Sequence, residues 1–187
     1  TYQDLLKDKS DEFNFEQLVR SDIYKVDLKG NKSLWKETAM YRGLNFSPDG
    51  KYILVTTIER PFSYIVPYYR FPKTTVIYDQ EGNKIKKILE VPLIEELPKG
   101  FMSERTGMRN LSWRNDKPST LYWAEVLDEG DPEIEADYRD EVFELDAPFT
   151  GKKKSILKTI NRFSAIYWGD ENTALAIDYW WNTRNIK

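Results

Sequence analysis

The stretch Gly43-Leu-Asn-Phe-Ser-Pro-Asp-Gly-Lys-Tyr-Ile-Leu-Val-Thr-Thr-Ile58 contains two apolar segments separated by a compact turn. Pro48 presets the backbone of that turn, and Asp49-Gly50 supplies the left-handed conformation that a tight reversal needs. The second segment, Tyr52–Ile58, is rich in β-branched residues, which favour strands. The stretch therefore predicts a β-hairpin.

Similar pairs of segments lie on both sides of this hairpin. Before it, Ser21–Leu28 and Ser33–Trp35 flank a turn that contains glycine and asparagine. After it, Thr74–Asp79 and Lys84–Val91 flank a second turn of this kind. Short alternating or apolar segments bounded by such turns are typical of strands. The four strands from Gly43 to Val91 are thus predicted to form one antiparallel meander.

The same order of strands and turns recurs along the rest of the chain. The further predicted strands are Asn110–Trp113, Ser119–Val126, Asp140–Leu145, Lys154–Thr159, Ser164–Trp168 and Thr173–Tyr179. Repeated four-stranded units with variable loops are typical of propeller blades. The sequence therefore predicts an all-β chain, a partial β-propeller built from four-stranded antiparallel blades, with residues 1–187 as a single domain. A β-sandwich of similar hairpins is the alternative.

On this prediction the chain holds two whole blades, the last two strands of a preceding blade and the first two of a following one. A short helical turn is expected at Tyr2–Asp8. Five aromatic residues are candidates for the layers between blades, and a partial array cannot bury all of them: Phe46, Trp113, Tyr122, Trp168 and Tyr179. Large exposed apolar areas and open strand edges favour association. We therefore expect the chain alone to form a homo-oligomer, with exchanged strands as one route.

Two residue types are absent from the 187 residues, namely histidine and cysteine. A Ser-His-Asp triad, a cysteine nucleophile, a thiolate metal site and a His-ligated zinc are therefore excluded within this chain. We predict no catalytic residues, no metal site and no cofactor here, so any hydrolytic chemistry must come from another part of a longer protein. The absence of cysteine also leaves the compartment unassigned.

The charge and hydropathy of the chain argue against two classes of partner. The formal charge of −3 and the pI near 5.3 lack the basic excess of nucleic-acid-binding proteins. Apolar runs such as Ile53–Val55 are far shorter than the roughly 20 residues of a membrane helix. The acidic stretch Asp128–Asp137 does not have the spacing of a calcium-binding loop and is interpreted as a solvated loop.

The segment Glu59–Pro72 is the most unusual part of the chain, because it joins two predicted strands yet is long and aromatic. It carries Arg60 and Arg70, and guanidinium groups match carboxylates well. Arg109, at the start of a strand predicted to line the propeller channel, is a third candidate for substrate binding. The alternative for all three is a structural role, in which each arginine pairs with neighbouring carbonyls or carboxylates.

Two long stretches resemble a known peptidase family. They are Arg60-Pro-Phe-Ser-Tyr-Ile-Val-Pro-Tyr-Tyr-Arg-Phe-Pro72 and Gly107-Met-Arg-Asn-Leu-Ser-Trp-Arg-Asn-Asp-Lys-Pro-Ser-Thr-Leu-Tyr-Trp-Ala-Glu125. Together with the opening Thr1–Asp8 and the closing Trp180–Arg184, they resemble the propeller domain of the glutamyl endopeptidases of the prolyl oligopeptidase superfamily. The resemblance implies a parent with an N-terminal propeller and a C-terminal α/β-hydrolase domain bearing a Ser-Asp-His triad. No residue of that triad can be placed on this sequence.

The resemblance leads to a specific functional expectation. The chain is expected to be a non-catalytic N-terminal propeller segment of a serine endopeptidase or aminoacyl-peptidase-like hydrolase. It would gate peptide access to the active site and contact acidic substrate side chains. Its expected partners are the C-terminal hydrolase domain of the parent chain and the peptide substrate. A stand-alone propeller that serves as a protein-interaction or scaffold domain is the alternative.

Overall fold

The computed structural model describes residues 5–170, 172–181 and 185–186, the last two by their backbone. One helix precedes a series of strands. The elements are α1 (Lys9–Val19), β1 (Ser21–Val26), β2 (Lys32–Ala39), β3 (Tyr41–Phe46), β4 (Tyr52–Ile58), a 3₁₀ turn (Tyr68–Arg70), β5 (Lys73–Asp79), β6 (Lys84–Val91), β7 (Arg109–Trp113), β8 (Thr120–Val126), β9 (Asp140–Asp146), β10 (Lys154–Thr159), β11 (Arg162–Asp170), β12 (Thr173–Trp180) and β13 (Asn185–Ile186).

The strands form antiparallel sheets in which neighbours along the chain are neighbours in space. Two sheets have four strands each, in the orders β3-β4-β5-β6 and β7-β8-β9-β10. β1 and β2 form a two-stranded sheet, and β11, β12 and β13 form a three-stranded one. The predicted all-β class and the four-stranded antiparallel units are confirmed. Within the described residues no sheet closes on itself.

The chain divides into two compact units. The first comprises Thr1–Phe46 and Gly50–Glu95, and the second comprises Ser47–Asp49 and Glu96–Lys187. In the first, the cores of β4 and β5 are apolar and nearly inaccessible, as at Ile53 and Ile77. In the second, Phe163 and Ile166 of β11 form a buried cluster with residues of β8 and β9.

Most predicted strand boundaries lie within two residues of the observed ones, but the predicted helix is wrong. Residues 1–4 lie outside the described residues, and Leu5–Asp8 is not helical. The helix begins at Lys9, because the Asp8 carboxylate accepts hydrogen bonds from the backbone N–H groups of Ser10 (2.8 Å) and Asp11 (3.0 Å). Asp8 is thus the N-cap of the helix, which satisfies two of its free donors.

The turns of the hairpins β1–β2 and β5–β6 have the same hydrogen-bond pattern. Asp27 and Asp79 each stand four residues before an asparagine, Asn31 or Asn83, whose backbone N–H and side-chain amide both donate to the aspartate carboxylate. A glycine with positive φ lies between them in each case. The β9–β10 turn also begins with an aspartate. The shared turn indicates that β1–β2 corresponds to the last two strands of a four-stranded sheet.

No helix in the described ranges is long and apolar enough to cross a membrane.

Candidate functional site

The loop Glu59–Pro72, which we call the aromatic loop, connects β4 to β5. Its ends are held together by a hydrogen bond from the Glu59 N–H to the Pro72 carbonyl, at 2.8 Å. Phe62, Val66 and Phe71 are buried and form a cluster with Ile58 at the end of β4. The loop therefore has its own small core, which gives its outer face a fixed shape.

Helix α1 packs against the aromatic loop. The ring of Phe15 meets Phe62 edge-on at a centroid distance of 5.2 Å and Phe71 at 5.7 Å. Phe62 and Phe71 stack on each other at 5.2 Å. Aromatic pairs in these arrangements contribute beyond the area they bury. The helix thus helps to hold the loop in place. This role was not predicted from the sequence.

Arg60 ties the base of the loop to α1. Its guanidinium lies 2.6 Å from Glu16 and 3.3 Å from Glu12, and it sits 4.5 Å from the ring centroid of Phe62. Hydrogen bonding to Glu16 raises the pKa of Arg60, with a further contribution from Glu12. About half of the side chain is exposed to water. Both carboxylates belong to the protein, so the surroundings of Arg60 match a structural role.

Arg70 differs from Arg60 because its guanidinium has no hydrogen bond or ion pair within the described part of the chain. Its backbone is well anchored, since its N–H donates to the Pro67 carbonyl at 2.9 Å and its carbonyl accepts from Ile94 at 3.0 Å. It ends the 3₁₀ turn that also carries the half-exposed rings of Tyr68 and Tyr69. A fixed backbone with an uncommitted cationic head group is a suitable arrangement for binding an anion.

The outer face of the aromatic loop is apolar and exposed. Tyr64, Ile65, Tyr68 and Tyr69 are all exposed, although the loop beneath them is buried. Desolvation and a hydrogen bond with Glu12 of α1 raise the pKa of the Tyr64 phenol above its ordinary value. Rigid aromatic groups beside an arginine are the residue types that dominate binding interfaces.

Arg109 lies in the other compact unit and is 5% exposed. Its Nη2 is 2.6 Å from Oδ2 of the fully buried Asp140, and its Nη1 is 3.4 Å from Glu104. The contact with Asp140 is an ion pair without the geometry of a hydrogen bond, and Nε has no hydrogen-bond partner either. Arg109 is therefore enclosed by protein carboxylates of its own unit.

Asp140 belongs to a buried network of ion pairs that the sequence analysis missed. The Arg162 Nη1 lies 2.7 Å from Asp128 and 3.2 Å from Asp140, and its Nε donates to the Met102 carbonyl at 2.8 Å. Asp128 also pairs with Arg139 at 2.7 Å. Charges removed from water in this way must be paired and hydrogen-bonded. The network joins several separate segments of the second unit.

The interpretation of Asp128–Asp137 as a solvated loop is wrong at its first residue. Glu133, Glu135 and Asp137 are exposed, as expected, but Asp128 is 1% exposed. Burial raises the pKa of Asp128, but hydrogen bonds from Arg162 and Arg139 outweigh it and hold the pKa below its usual value. Sequence gave no signal for this, because the partner arginines follow only after the loop.

Neither a nucleophile nor a metal centre is evident in the described ranges. Ser63 is buried and its hydroxyl donates to Glu95 at 2.7 Å, but the same oxygen accepts the N–H of Ile65. This pattern fixes the turn of the loop and includes no general base of the kind that activates serine. No group of three or more acidic side chains suited to a metal ion occurs there.

Comparison with known proteins gives two relatives along the full chain. The chain is 37% identical to "Probable glutamyl endopeptidase, chloroplastic" of Oryza sativa subsp. japonica and 38% identical to the protein of the same name in Arabidopsis thaliana, over 189 aligned residues. All of this chain is covered, and it spans 20% of the length of each relative. The resemblance to glutamyl endopeptidases is thus confirmed over the whole sequence.

Other comparisons add little. No family model matches the chain. Among solved structures, the "putative 6-phosphogluconolactonase" of Bacteroides uniformis covers 90% of this chain and 47% of its own, at 14% identity and a TM-score of 0.38. A likeness at this level carries no argument about fold or function.

Proposed function

From the similarity to probable glutamyl endopeptidases along its whole length, we propose that this chain is a non-catalytic segment of a serine-type peptidase. The observation that carries the proposal is that all 187 residues align with only 20% of each relative. The chain itself has no histidine or cysteine. The nucleophile and its base then belong to another part of the longer protein, the expected α/β-hydrolase domain of the prolyl oligopeptidase superfamily.

Within that peptidase, the segment forms part of a β-propeller. This is supported by two complete four-stranded antiparallel sheets, by an incomplete sheet on each side of them, and by the turn shared between β1–β2 and β5–β6. Radial repetition of such sheets around a channel is the architecture of a propeller. A propeller placed over an active site admits peptides through its channel and excludes folded proteins. The segment thereby gates access to the peptidase.

Arg70 is the residue of this segment best suited to contact an acidic substrate side chain. Arg60 and Arg109 already have protein carboxylates within 3.5 Å, so a substrate carboxylate would have to compete with these partners. Arg70 has no such competitor in the described residues, and its neighbours Tyr68 and Tyr69 can cover the apolar part of a peptide. Planar guanidinium groups bind carboxylates through two parallel hydrogen bonds.

Kinetics of arginine variants in the longer peptidase test this role. Arg70→Ala is expected to lower kcat/KM on a glutamate-containing peptide by about tenfold to a hundredfold, the range for a hydrogen bond to a charged group. The matched glutamine peptide should lose far less. Arg60→Ala is the control, since its loss should be small and the same on both peptides. Equal losses on both peptides with Arg70→Ala would show that Arg70 is structural.

A stand-alone interaction or scaffold domain is the second candidate function. The exposed aromatic face of the loop, Tyr64, Ile65, Tyr68 and Tyr69, favours it, because such faces bind protein partners. The two candidates differ in the rest of the polypeptide. A Ser-Asp-His hydrolase domain encoded in the same reading frame supports the peptidase, and its absence supports the scaffold.

A further inference from the structure

Helix α1 contacts the exposed face of the aromatic loop as well as the core beneath it. The contacts come from Glu12 and Phe15, which stand three residues apart. Residues at this spacing lie on the same face of a helix, so one face of α1 meets the loop. The helix is therefore in a position to influence the side chains that the loop presents to a peptide.

A series of aromatic rings leads from α1 to the turn that carries Arg70. The Phe15 ring lies 6.4 Å from that of Tyr68, and Tyr68 meets Tyr69 edge-on at 6.1 Å. Tyr69 directly precedes Arg70 in the 3₁₀ turn, and the Lys73 Nζ donates to the Tyr69 carbonyl at 2.7 Å. The turn is thus held from both sides, by a lysine of β5 and by a ring of α1.

Glu12 contacts the exposed face at a second place. Its carboxylate accepts a hydrogen bond from the Tyr64 phenol and lies 3.3 Å from the Arg60 guanidinium. Because half of the Arg60 side chain is exposed, water competes for this ion pair, and it contributes little to stability. The attachment of α1 to the loop must therefore depend mainly on apolar packing.

Phe15 is the residue of α1 that supplies this packing. No residue of the helix is buried, and Phe13 is 62% exposed. Phe15, by contrast, packs on the buried cluster of the loop, as does Leu6 ahead of the helix. An element with so few apolar contacts is among the least stable parts of a fold. The loss of one such contact should therefore change how firmly α1 holds the loop.

We propose that Phe15 is a positioning residue for substrate binding by Arg70 and acts through Tyr68 and the core of the loop. This inference rests on the proposed role of Arg70 in binding an acidic substrate side chain. With Phe15 docked, the 3₁₀ turn is ordered before a peptide arrives. Binding then does not have to order the turn, which raises the affinity for the peptide.

Kinetics of Phe15 variants in the longer peptidase test the proposal. Phe15→Ala should raise KM for the glutamate-containing peptide by about three- to tenfold, the range for loss of an aromatic pair, with kcat unchanged. The matched glutamine peptide lacks the charge that Arg70 binds, so its KM should change far less. Phe15→Leu keeps part of the packing and should give an intermediate KM.

Phe13→Ala is the matched control, because Phe13 lies on the same helix and is exposed. It should leave the kinetics of both peptides unchanged. A fall in kcat with Phe15→Ala that is equal for the two peptides would show that Phe15 serves only the stability of the fold, and would overturn the proposal.

A double variant tests whether Phe15 acts through Arg70. Residues that act through one another have non-additive effects. In a protein that already carries Arg70→Ala, Phe15→Ala should leave the ratio of the two kcat/KM values, glutamate peptide over glutamine peptide, unchanged. Additive effects of the two substitutions on this ratio would contradict the positioning role.

The proposed function and the positioning role can fail separately. If Arg70→Ala affects both peptides equally, Arg70 does not bind the acidic side chain, and the positioning role is wrong with it. If Arg70→Ala is selective for the glutamate peptide and Phe15→Ala is not, the positioning role alone is wrong.

Hydrogen exchange of the longer peptidase gives a readout that does not use activity. The N–H groups of Arg70 and Phe71 donate to the carbonyls of Pro67 at 2.9 Å and Tyr68 at 3.1 Å, so their protection reports whether the 3₁₀ turn is formed. Both should exchange about three- to tenfold faster in Phe15→Ala, and at the natural rate in Phe13→Ala. Unchanged exchange in Phe15→Ala would overturn the inference.

Discussion

At the scale of single residues, three arginines with the same head group have three different surroundings. Arg60 is half-exposed between two glutamates, Arg109 is enclosed with Asp140, and the Arg70 guanidinium has no partner in the part of the chain that the structure describes. An exposed ion pair contributes little to stability because water competes for both charges. Loss of one member of a buried pair costs far more, because the other charge stays buried. The same substitution should therefore have very different effects at these sites.

The largest effect on stability is expected for the buried network around Asp128. Asp128→Asn should lower the free energy of unfolding by about 3–5 kcal/mol, because Arg139 would lose its carboxylate partner and Arg162 would keep only Asp140, which also pairs with Arg109. Asp137→Asn is the matched control in the same segment, where the side chain is exposed, and it should stay within about 0.5 kcal/mol. Urea unfolding of the two variants and the natural chain measures both values.

The stability difference between the natural chain and Asp128→Asn should depend on pH in a direction that the pKa shift of Asp128 fixes. The Asp128 pKa is lowered in the folded chain, whereas the unfolded carboxyl returns to about 3.9. Its stabilising contribution is therefore complete above pH 4 and is lost as the pH falls through the folded pKa. The stability difference between the natural chain and Asp128→Asn should shrink on acidification. A difference that stays constant between neutral and strongly acidic pH would contradict this.

The sequence identified the arginines but not their partners. Arg60 pairs with Glu12 and Glu16, which precede it by 48 and 44 residues, and no local pattern links such positions. Asp128 lies in an acidic segment whose other members are mostly exposed, so composition predicted solvation. Its burial results from how β9 and β11 pack, which depends on contacts between distant parts of the chain. Side-chain partners of this kind cannot be derived from residue types alone.

At the scale of elements, the strands were predictable because their turns are specified locally. Gly50 and Gly82 adopt φ values of +71° and +89°, which residues other than glycine rarely adopt. Glycine at such positions marks where a strand must end. The position of α1 was missed because its N-cap, Asp8, was assigned to the end of a helical turn at Tyr2–Asp8 instead of the start of a helix. The packing of α1 on the aromatic loop depends on tertiary contacts of Phe15 that no local signal reports.

Gly30 of the β1–β2 turn and Gly82 of the β5–β6 turn occupy the same position in their turns but have different surroundings. A Cβ at Gly30 would meet nothing within 4 Å, whereas a Cβ at Gly82 would lie 3.2 Å from the indole nitrogen and from the carbonyl oxygen of Trp35. Both glycines have positive φ, so alanine at either site carries a backbone cost of about 1 kcal/mol. We expect Gly82→Ala to destabilise more than Gly30→Ala, because it also disturbs the packing of β2. Thermal unfolding of both variants measures the difference, and equal melting temperatures would contradict the Trp35 contact.

At the scale of the whole molecule, the repeat of four-stranded sheets explains both the order of the strands and the apolar side chains that stay exposed. The complete sheets bury inner strands such as β4 and β5, whereas Phe46 of β3 and Leu175 of the partial sheet β11–β13 are large apolar residues that stay exposed. The strand repeat was predictable because each unit uses the same order of local signals. The chain aligns with a fifth of the length of each relative. Its function must therefore be considered at the scale of the longer protein.

The central claim is that this segment belongs to a peptidase without supplying its nucleophile. Mass-spectrometric mapping of a fluorophosphonate adduct on the longer protein tests it most directly, because the probe labels serines activated by a neighbouring base. The 187 residues of this chain hold no histidine, so we predict one labelled serine, located outside them. A labelled serine within this chain, or a longer protein that takes up no label, would contradict the account.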